Sequence, residues 1–445
     1  MNSVKSEVMP AIVDGKFKLP PLFQRFFRVF LPPGIRLSGA AVQFLSTVLI
    51  ARFLGDEGSS TFFFWSAVLT SFAIVATFGL EHLVLRNVPR LKAAGDPDKL
   101  TGYLTTIRGI SLTLSLAIGI GLILYAYLKG GADGIHFHVW YFLLPLTLGA
   151  MAMCVVNGEA LKGLSKPASG VFFGHFVPVS LFCFLIVINL THLSSPLLLT
   201  IYASAYVIAV AVVRFGPTRL VRGRIFSVPD WNTSRPALSE GLPIFSSNAL
   251  GALCYVVPLA VLEFSRSPAE ISHLTTSFRV SILLSVLATA IHGVFAPQLS
   301  CAADLKGNLK GVFKVYAKST FFTFGILLVP AMVGILFPEW VMSVFGDDFR
   351  EGAVTLRWLL ISSLVSMFIG PVHQLLVMTG NTRFLAVSGV FKLFITVAIS
   401  MLLIPIYGGI GMAIAIMASY LLEEVVGIIW VFVSLFRETK TIEEN

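Results

Sequence analysis

The sequence predicts an all-α polytopic membrane protein with about twelve transmembrane helices in two six-helix lobes. The first observation is composition: 56% of the 445 residues are hydrophobic and 12% are charged, against about 45–50% and 25% in soluble domains. The second is a series of apolar segments, each near the ~20 residues that span a bilayer. The third is a polar, basic stretch in the middle of the chain that divides these segments into two blocks.

Residues 1–34 are expected to form a cytoplasmic N-terminal segment rather than a signal peptide. Lysines and acids are mixed there, and no apolar run precedes a small-residue cleavage site. Within this segment, residues 20–33 alternate phenylalanine and arginine between two pairs of prolines. The pattern favours a short helix lying on the inner membrane face, with a disordered tail as the alternative.

Twelve apolar segments follow. Six lie in a first lobe, residues 35–215, and six in a second lobe, residues 239–436. A cytoplasmic linker, residues 216–238, joins the lobes, and residues 437–445 form a cytoplasmic tail. The predicted limits of the segments are 35–54, 61–84, 103–128, 138–161, 169–190, 196–215, 239–262, 272–299, 311–337, 353–378, 384–404 and 410–436.

The stretch from residue 214 to residue 238 has the features of a cytoplasmic hinge. It contains one acid, Asp230, and prolines 217, 229 and 236, which would break a long helix. Its five arginines are Arg214, Arg219, Arg222, Arg224 and Arg235.

Lysine and arginine concentrate in the even-numbered connections, which places the N-terminus, the central linker and the C-terminus in the cytoplasm. The same bias explains the net charge of +9 without a nucleic-acid partner. An aromatic belt is expected at the opposite, external side. Its members would be Trp65, Trp140, Trp340 and Trp358.

Motifs of ATP-driven or hydrolytic machinery are missing from the sequence. It contains no GxxxxGK[ST], no HExxH and no GxSxG. The four cysteines are dispersed without a CxxC pair, which disfavours disulfides and a zinc site. We therefore expect no enzyme and no cofactor. Any transport would draw on an ion gradient or on the substrate's own gradient.

Cations inside the apolar segments are the strongest site candidates. A central arginine or lysine costs about 2.5–3.5 kcal/mol even on a lenient insertion scale, so by default it faces a cavity or a partner. Arg279 and Lys392 lie well inside the eighth and eleventh segments, and Arg357 lies in the first turns of the tenth. If Arg279 and Lys392 both face a cavity, they form a cationic wall that attracts an anionic substrate such as a phosphate or an acidic sugar. Arg357 is a third candidate to line the cavity. Two alternatives stay open: Arg357 reaches the external surface, and Lys392 pairs with Glu423 or Glu424.

Other ionisable groups are candidates for gating or coupling. Glu81 with Arg86, and Glu159 with Lys162, would form either gating ion pairs or ordinary salt bridges at the cytoplasmic rim. Two histidines inside apolar segments, His292 and His373, would relay protons. The alternative is that each is a hydrogen-bonded core residue.

Several stretches resemble one known family. The first segment ends ARFLGDEGSSTFFFWS (51–66), in which Gly55 and Gly58 stand at the positions of a glycine-containing outer turn. The second segment ends FGLEHLVLRNVPRL (78–91), in which Gly79 and Arg86 match a glycine-hydrophobic-arginine helix end. This looks like the opening of the polysaccharide (O-antigen or exopolysaccharide repeat-unit) flippases of the multidrug/oligosaccharidyl-lipid/polysaccharide (MOP) exporter superfamily. The second half is similar too, in FAPQLS (295–300), VFGDDFREGAVTLRWL (344–359), GPVHQLLVMTGNTR (370–383) and IPIYGGIGMAIA (404–415).

The resemblance covers nearly the whole chain, and its diffuse motifs indicate the superfamily more than the substrate. It implies a MATE/MOP-like pair of six-helix lobes around a central cationic cavity. It also implies alternating-access flipping of a polyprenyl-diphosphate-linked oligosaccharide across the bacterial inner membrane. The lipid-linked substrate, membrane lipids, H⁺ or Na⁺ as coupling ion, and polysaccharide polymerase or ligase machinery would be its partners. Unlike many drug-exporting relatives, the chain has no acid in the first segment, and it has twelve segments rather than the fourteen of the lipid II flippases.

Two other functions remain as alternatives. A cation-coupled drug or metabolite antiporter of the same fold would need a carboxylate deep in the cavity, and no acid is clearly placed there by the sequence. A membrane-embedded polysaccharide polymerase or ligase would need a substantial external loop. The longest external connection is only residues 338–352.

Overall fold

The computed structural model describes residues 11–13, 16–18, 21–133, 139–215, 231–265, 267–304, 309–378 and 382–443. Two three-residue strands, β1 and β2, pair antiparallel with Ala11 opposite Lys18. The other elements of the described residues are helical. Their bounds are β1 Ala11–Val13, β2 Lys16–Lys18, α1 Pro21–Ala76, α2 Leu80–Ala93, α3 Pro97–Asp133, α4 Leu143–Gly163, α5 Pro167–Val171, α6 Val177–Ile188, α7 Ser195–Phe215, α8 Trp231–Ser265, α9 Pro268–Asp304, α10 Leu309–Leu336, α11 Pro338–Ser343, α12 Ala353–Ile369, α13 Val372–Met378, α14 Thr382–Tyr407 and α15 Gly409–Glu443.

Helix α1 crosses the membrane twice. It is interrupted at Gly55, whose φ of 70° lies in the left-handed region that glycine adopts without a steric penalty. Thr47 and Ser66 stand on either side of this break, and both bind the guanidinium of Arg279. In a straight helix they would be about 28 Å apart at 1.5 Å per residue. The chain therefore reverses direction at Gly55.

The described residues contain eleven helices that are long and apolar enough to cross a membrane. Because the first of these is folded back at Gly55, they provide twelve crossings, as the sequence predicts. We call the end of the bundle that carries residues 55–60 and 338–352 the predicted external end, and the opposite end the predicted cytoplasmic end.

The buried apolar residues form three clusters. The largest joins the two lobes near the predicted external end, where Phe62 and Phe63 of the first lobe and Phe345 and Phe349 of the second are fully buried. The other two clusters lie toward the predicted cytoplasmic end, one in each lobe. This distribution closes the bundle at the predicted external end. At the predicted cytoplasmic end the lobes meet where α8 packs beside α2, with the rings of Phe78 and Phe245 stacked at a centroid distance of 4.1 Å.

Close helix packing in the first lobe depends on small residues. An ideal Cβ on Gly170 would lie 2.5 Å from the carbonyl oxygen of Gly158. The backbones of α4 and α5 therefore approach each other only because position 170 has no side chain. A π-helical turn, Phe172–Phe176, follows directly and connects α5 to α6.

At the start of α3, Asp96 accepts a hydrogen bond from the backbone N–H of Lys99 at 3.0 Å, and the Lys99 ammonium lies 3.1 Å from the other carboxylate oxygen. The contacts with Lys99 hold the pKa of Asp96 below its usual value. This carboxylate caps the helix that begins at Pro97.

Some local predictions differ from the structure. Residues 21–33 are helical, but they continue directly into the first crossing as part of α1 instead of forming a separate surface helix. Residues 216–230 of the linker lie outside the described residues, and α8 begins at Trp231, inside the predicted linker. Trp65 and Trp140 are buried against each other, with ring centroids 5.8 Å apart, so they belong to the core rather than to an exposed belt.

Candidate functional site

The two lobes enclose a cavity of about 480 Å³ in the middle of the bundle. One wall comes from both arms of α1, and the other comes from α8, α9, α13, α14 and α15. Its polar or charged lining residues are Gln43, Ser66, Thr70, Ser71, Asn248, Tyr255, Thr275, Arg279, His373, Lys392, Tyr420 and Glu423. Arg279 and Lys392, singled out by their depth in apolar segments, thus line the same cavity.

Arg279 projects from α9 of the second lobe to the first lobe. Its Nη1 donates to Thr47 Oγ1 at 2.7 Å and its Nη2 to Ser66 Oγ at 3.0 Å. The guanidinium carbon lies 4.8 Å from the centre of the Phe63 ring, a cation–π distance. Among the described residues, no carboxylate oxygen lies within 4.0 Å of this guanidinium. Two hydroxyls and one ring hold it, while its charge is not neutralised by an acid.

Lys392 is held differently. Its Nζ lies 2.7 Å from Glu423 Oε2 and 4.4 Å from the centre of the Tyr420 ring. Ser388, one turn before Lys392, donates to the other carboxylate oxygen of Glu423 at 3.1 Å. The structure therefore places Lys392 in the ion pair with Glu423 that the sequence left open as a structural alternative.

Arg357 does not line this cavity. It is exposed on α12 near the predicted external end, and its Nε donates to the carbonyl of Ile335 at 3.2 Å. Its position near the external end of its apolar segment lets the long side chain reach the surface, which is the alternative that the sequence left open. The prediction that Arg357 lines the cavity is therefore corrected.

The candidate gating residues Glu81, Arg86 and Glu159 each have a partner in the structure. Arg86 pairs with Glu240 of α8 and not with Glu81. Glu81 instead accepts a hydrogen bond from Asn248 at 3.1 Å, which also connects α2 to α8. Glu159 pairs with Lys162 at 2.6 Å within α4, three residues along the same helix, so this pair does not join the lobes.

The two candidate histidines lie in the second lobe. His292 lines a second cavity of about 320 Å³ between α8, α9, α12, α13 and α15, and His373 lines both this cavity and the central one. Both histidines therefore reach a cavity, while their role as a proton relay stays a prediction.

A set of contacts at the predicted external end was not foreseen from the sequence. His273 Nε2 of α9 lies 3.2 Å from Asp56 Oδ2 of the outer turn. Ser272 donates to the Asp56 carbonyl at 2.5 Å and lies 3.2 Å from the hydroxyl of Ser59. These contacts connect the lobes beside the largest apolar cluster. The sequence shows only two separate polar residues, Asp56 in the outer turn and His273 at the start of the eighth segment. It does not show that their side chains are in contact.

No family model matches this chain. A curated relative is the probable low-salt glycan biosynthesis flippase Agl15 of Haloferax volcanii, 23% identical over 409 residues, which cover 87% of this chain and 79% of that protein.

Solved structures show the same fold at low identity. One is an inward-facing multidrug resistance MATE family transporter of the MOP superfamily, with a TM-score of 0.73, 16% identity and coverage of 92% of this chain and 99% of that chain. The lipid II flippase MurJ in an inward closed conformation has a TM-score of 0.72, 14% identity and coverage of 91% and 87%. A MOP superfamily transporter from Pyrococcus furiosus has a TM-score of 0.63, 15% identity and coverage of 92% and 95%.

These likenesses confirm the fold that the sequence predicts. The chain is a multi-pass helical membrane protein, and the relatives it resembles here are flippases and transporters.

Proposed function

We propose that this chain is a secondary transporter that flips polyprenyl-diphosphate-linked oligosaccharide repeat units across the bacterial inner membrane by alternating access, for surface polysaccharide biosynthesis. The observation that carries the proposal is Arg279. It is a guanidinium fixed between the two lobes, at a central cavity, without a neutralising carboxylate among the described residues.

The chemistry of Arg279 suits a diphosphate. A guanidinium has five N–H donors, and two of them are used by Thr47 and Ser66. The remaining three can bind phosphate oxygens in the bidentate geometry that arginine favours. Because Glu423 offsets Lys392, the central cavity keeps a net positive charge with its histidine neutral.

The distribution of contacts supports alternating access. Polar contacts of Asp56 and the largest apolar cluster join the lobes at the predicted external end. The cavity reaches Ile74, His373 and Leu385, which lie toward the predicted cytoplasmic ends of their segments. An outward-facing state would separate the external contacts and bring the lobes closer together at the opposite end, where α2 and α8 already meet.

Glu423 gives a specific reason to keep a second candidate function, a cation-coupled drug or metabolite antiporter. Such a transporter needs a carboxylate in the cavity, and Glu423 lines it. The pairing of Glu423 with Lys392 favours the flippase, since the carboxylate is already neutralised.

The flipped unit would be consumed by polysaccharide polymerase or ligase machinery at the outer face of the membrane. A test is to delete the gene in its host and measure surface polysaccharide and the sidedness of lipid-linked glycans. We expect loss of the polysaccharide with single repeat units accumulating toward the cytoplasm. Accumulation on the outer face would instead place the protein after flipping, and unchanged pools of both would leave the antiporter as the better hypothesis.

A further inference from the structure

The second cavity, of about 320 Å³, lies inside the second lobe and next to the central cavity. Tyr255, Phe278, His373 and Tyr420 line both cavities, so they form a shared wall. Glu424 of α15 also lines the second cavity, and it does not line the central one.

One oxygen of Glu424 has a partner and the other does not. Ser366 of α12 donates to Oε1 at 2.5 Å. Oε2 is inaccessible to solvent and, among the described residues, has no hydrogen-bond partner. His292 lines the same cavity, and its Nε2 is likewise buried and unpaired within the described part of the chain. Buried polar atoms without a partner are uncommon in folded proteins, so two of them in one cavity mark it as a candidate for proton binding.

The charges around Glu424 do not neutralise it. The permanent cation that acts on Glu424, Lys392, is bound to the neighbouring acid Glu423 at 2.7 Å. The histidines at this cavity are His292 and His373, and the weak acids around it are Cys254, Tyr255, Tyr316 and Tyr420. An ionised carboxylate buried without a cation is much more costly than a neutral carboxyl group.

We propose that Glu424 is a proton-binding site, that its carboxyl group is protonated in this conformation, and that release of this proton accompanies the movement that opens the predicted external end. When the external end opens, water reaches Oε2 and takes the proton, which breaks the O–H bond of Glu424 and leaves a carboxylate that needs a new donor for Oε2. The externally closed and externally open conformations therefore differ in their affinity for the proton on Glu424. This proposal rests on the proposed transport function, since it names the ion whose gradient drives it.

The test measures conformation directly, without a glycan. Spin labels are placed at positions 57 and 339, which are exposed at the predicted external end of the first and second lobes. The full-length chain has its four natural cysteines replaced by alanine and is reconstituted in lipid. The distance between the labels is then measured by electron–electron resonance against pH at fixed Na⁺, and against Na⁺ at fixed pH.

We expect the short, externally closed distance to dominate at low pH and longer distances to appear as pH rises. Glu424→Gln, which mimics the neutral acid, should keep the short distance at every pH. Ser366→Ala should move the midpoint up by about one pH unit or more, because it removes a hydrogen bond that stabilises the carboxylate more than the neutral acid. Glu351→Gln, an exposed acid on the same lobe, is the matched control and should titrate as the parent chain does.

A distance distribution that does not change with pH overturns the proposal, as does a Glu424→Gln chain with the parent's pH dependence. A response to Na⁺ in place of pH would identify a sodium site and overturn it as well. If Glu424→Gln does not fold, the shift in Ser366→Ala decides, and an unmoved midpoint counts against Glu424. Since no glycan is present, failure here leaves the gene-deletion test of the proposed function intact.

Discussion

Replacing Arg279 with alanine should weaken binding of a diphosphate lipid by about 10- to 150-fold. The figure follows from one lost hydrogen bond to a charged group, which contributes about 1.5–3 kcal/mol, where every 1.4 kcal/mol is tenfold in affinity. A second lost bond would increase the effect. The assay is calorimetric titration of the purified protein with farnesyl diphosphate as the probe.

Two control variants separate ligand binding from other roles of Arg279. Arg357→Ala removes an exposed arginine of the same lobe and should bind the probe as the parent does. Thr47→Val combined with Ser66→Ala keeps the guanidinium but removes both of its hydroxyl partners, and it should retain most of the affinity. Parent-like binding by Arg279→Ala would refute the reasoning. An equal loss in the Thr47 and Ser66 double variant would show that Arg279 acts as a link between the lobes.

Three further predictions concern stability and gating. Lys392→Met should lower the free energy of unfolding by about 1–3 kcal/mol, since it leaves a partly buried carboxylate unpaired, and adding Glu423→Gln should recover much of this loss in thermal denaturation. Ser272→Ala removes a hydroxyl that bridges the lobes at the predicted external end. A hydrogen bond contributes about 0.5–1.5 kcal/mol to closure of that end. Its loss should therefore raise the labelling of a cysteine introduced there, by a membrane-impermeant thiol reagent, roughly 2- to 10-fold. Gly170→Leu should lower the free energy of unfolding by at least about 1–3 kcal/mol, because the leucine side chain would collide with the Gly158 carbonyl.

Each of these has a contrary outcome. Additive effects of the Lys392 and Glu423 substitutions would mean that the ion pair carries no coupling energy. Unchanged labelling in Ser272→Ala would remove this hydroxyl from the external closure. Gly102→Ala is the control for Gly170→Leu, since no atom lies within 4 Å of a Cβ there. Equal stability of these two variants would contradict the packing argument.

The fold was largely predictable because the bilayer imposes a strong pattern. Spans of about 20 apolar residues and the turn at Gly55 are local features of the sequence. The same logic identified Arg279 and Lys392, since a charge deep in an apolar segment needs a cavity or a partner. Both line the central cavity.

Pairings between distant segments could not be predicted. Whether Arg86 binds Glu81 or Glu240 depends on how α8 lies against α2, which the sequence of either helix does not specify. The contact of His273 with Asp56 joins residues 217 positions apart. The sequence shows how far along its helix Trp65 lies, and this predicts a position at the external membrane–water interface. The sequence does not show which side of the helix faces Trp140, so the burial of Trp65 could not be predicted.

The most direct test of the central claim is translocation by the purified chain in proteoliposomes. The substrate is a fluorescent disaccharide linked to a polyprenyl diphosphate, and a membrane-impermeant reductant quenches only the outer leaflet. We predict that quenching proceeds beyond the outer-leaflet fraction with the parent chain and is strongly slowed with Arg279→Ala. Quenching that stops at the outer-leaflet fraction, as in protein-free vesicles, would contradict the account.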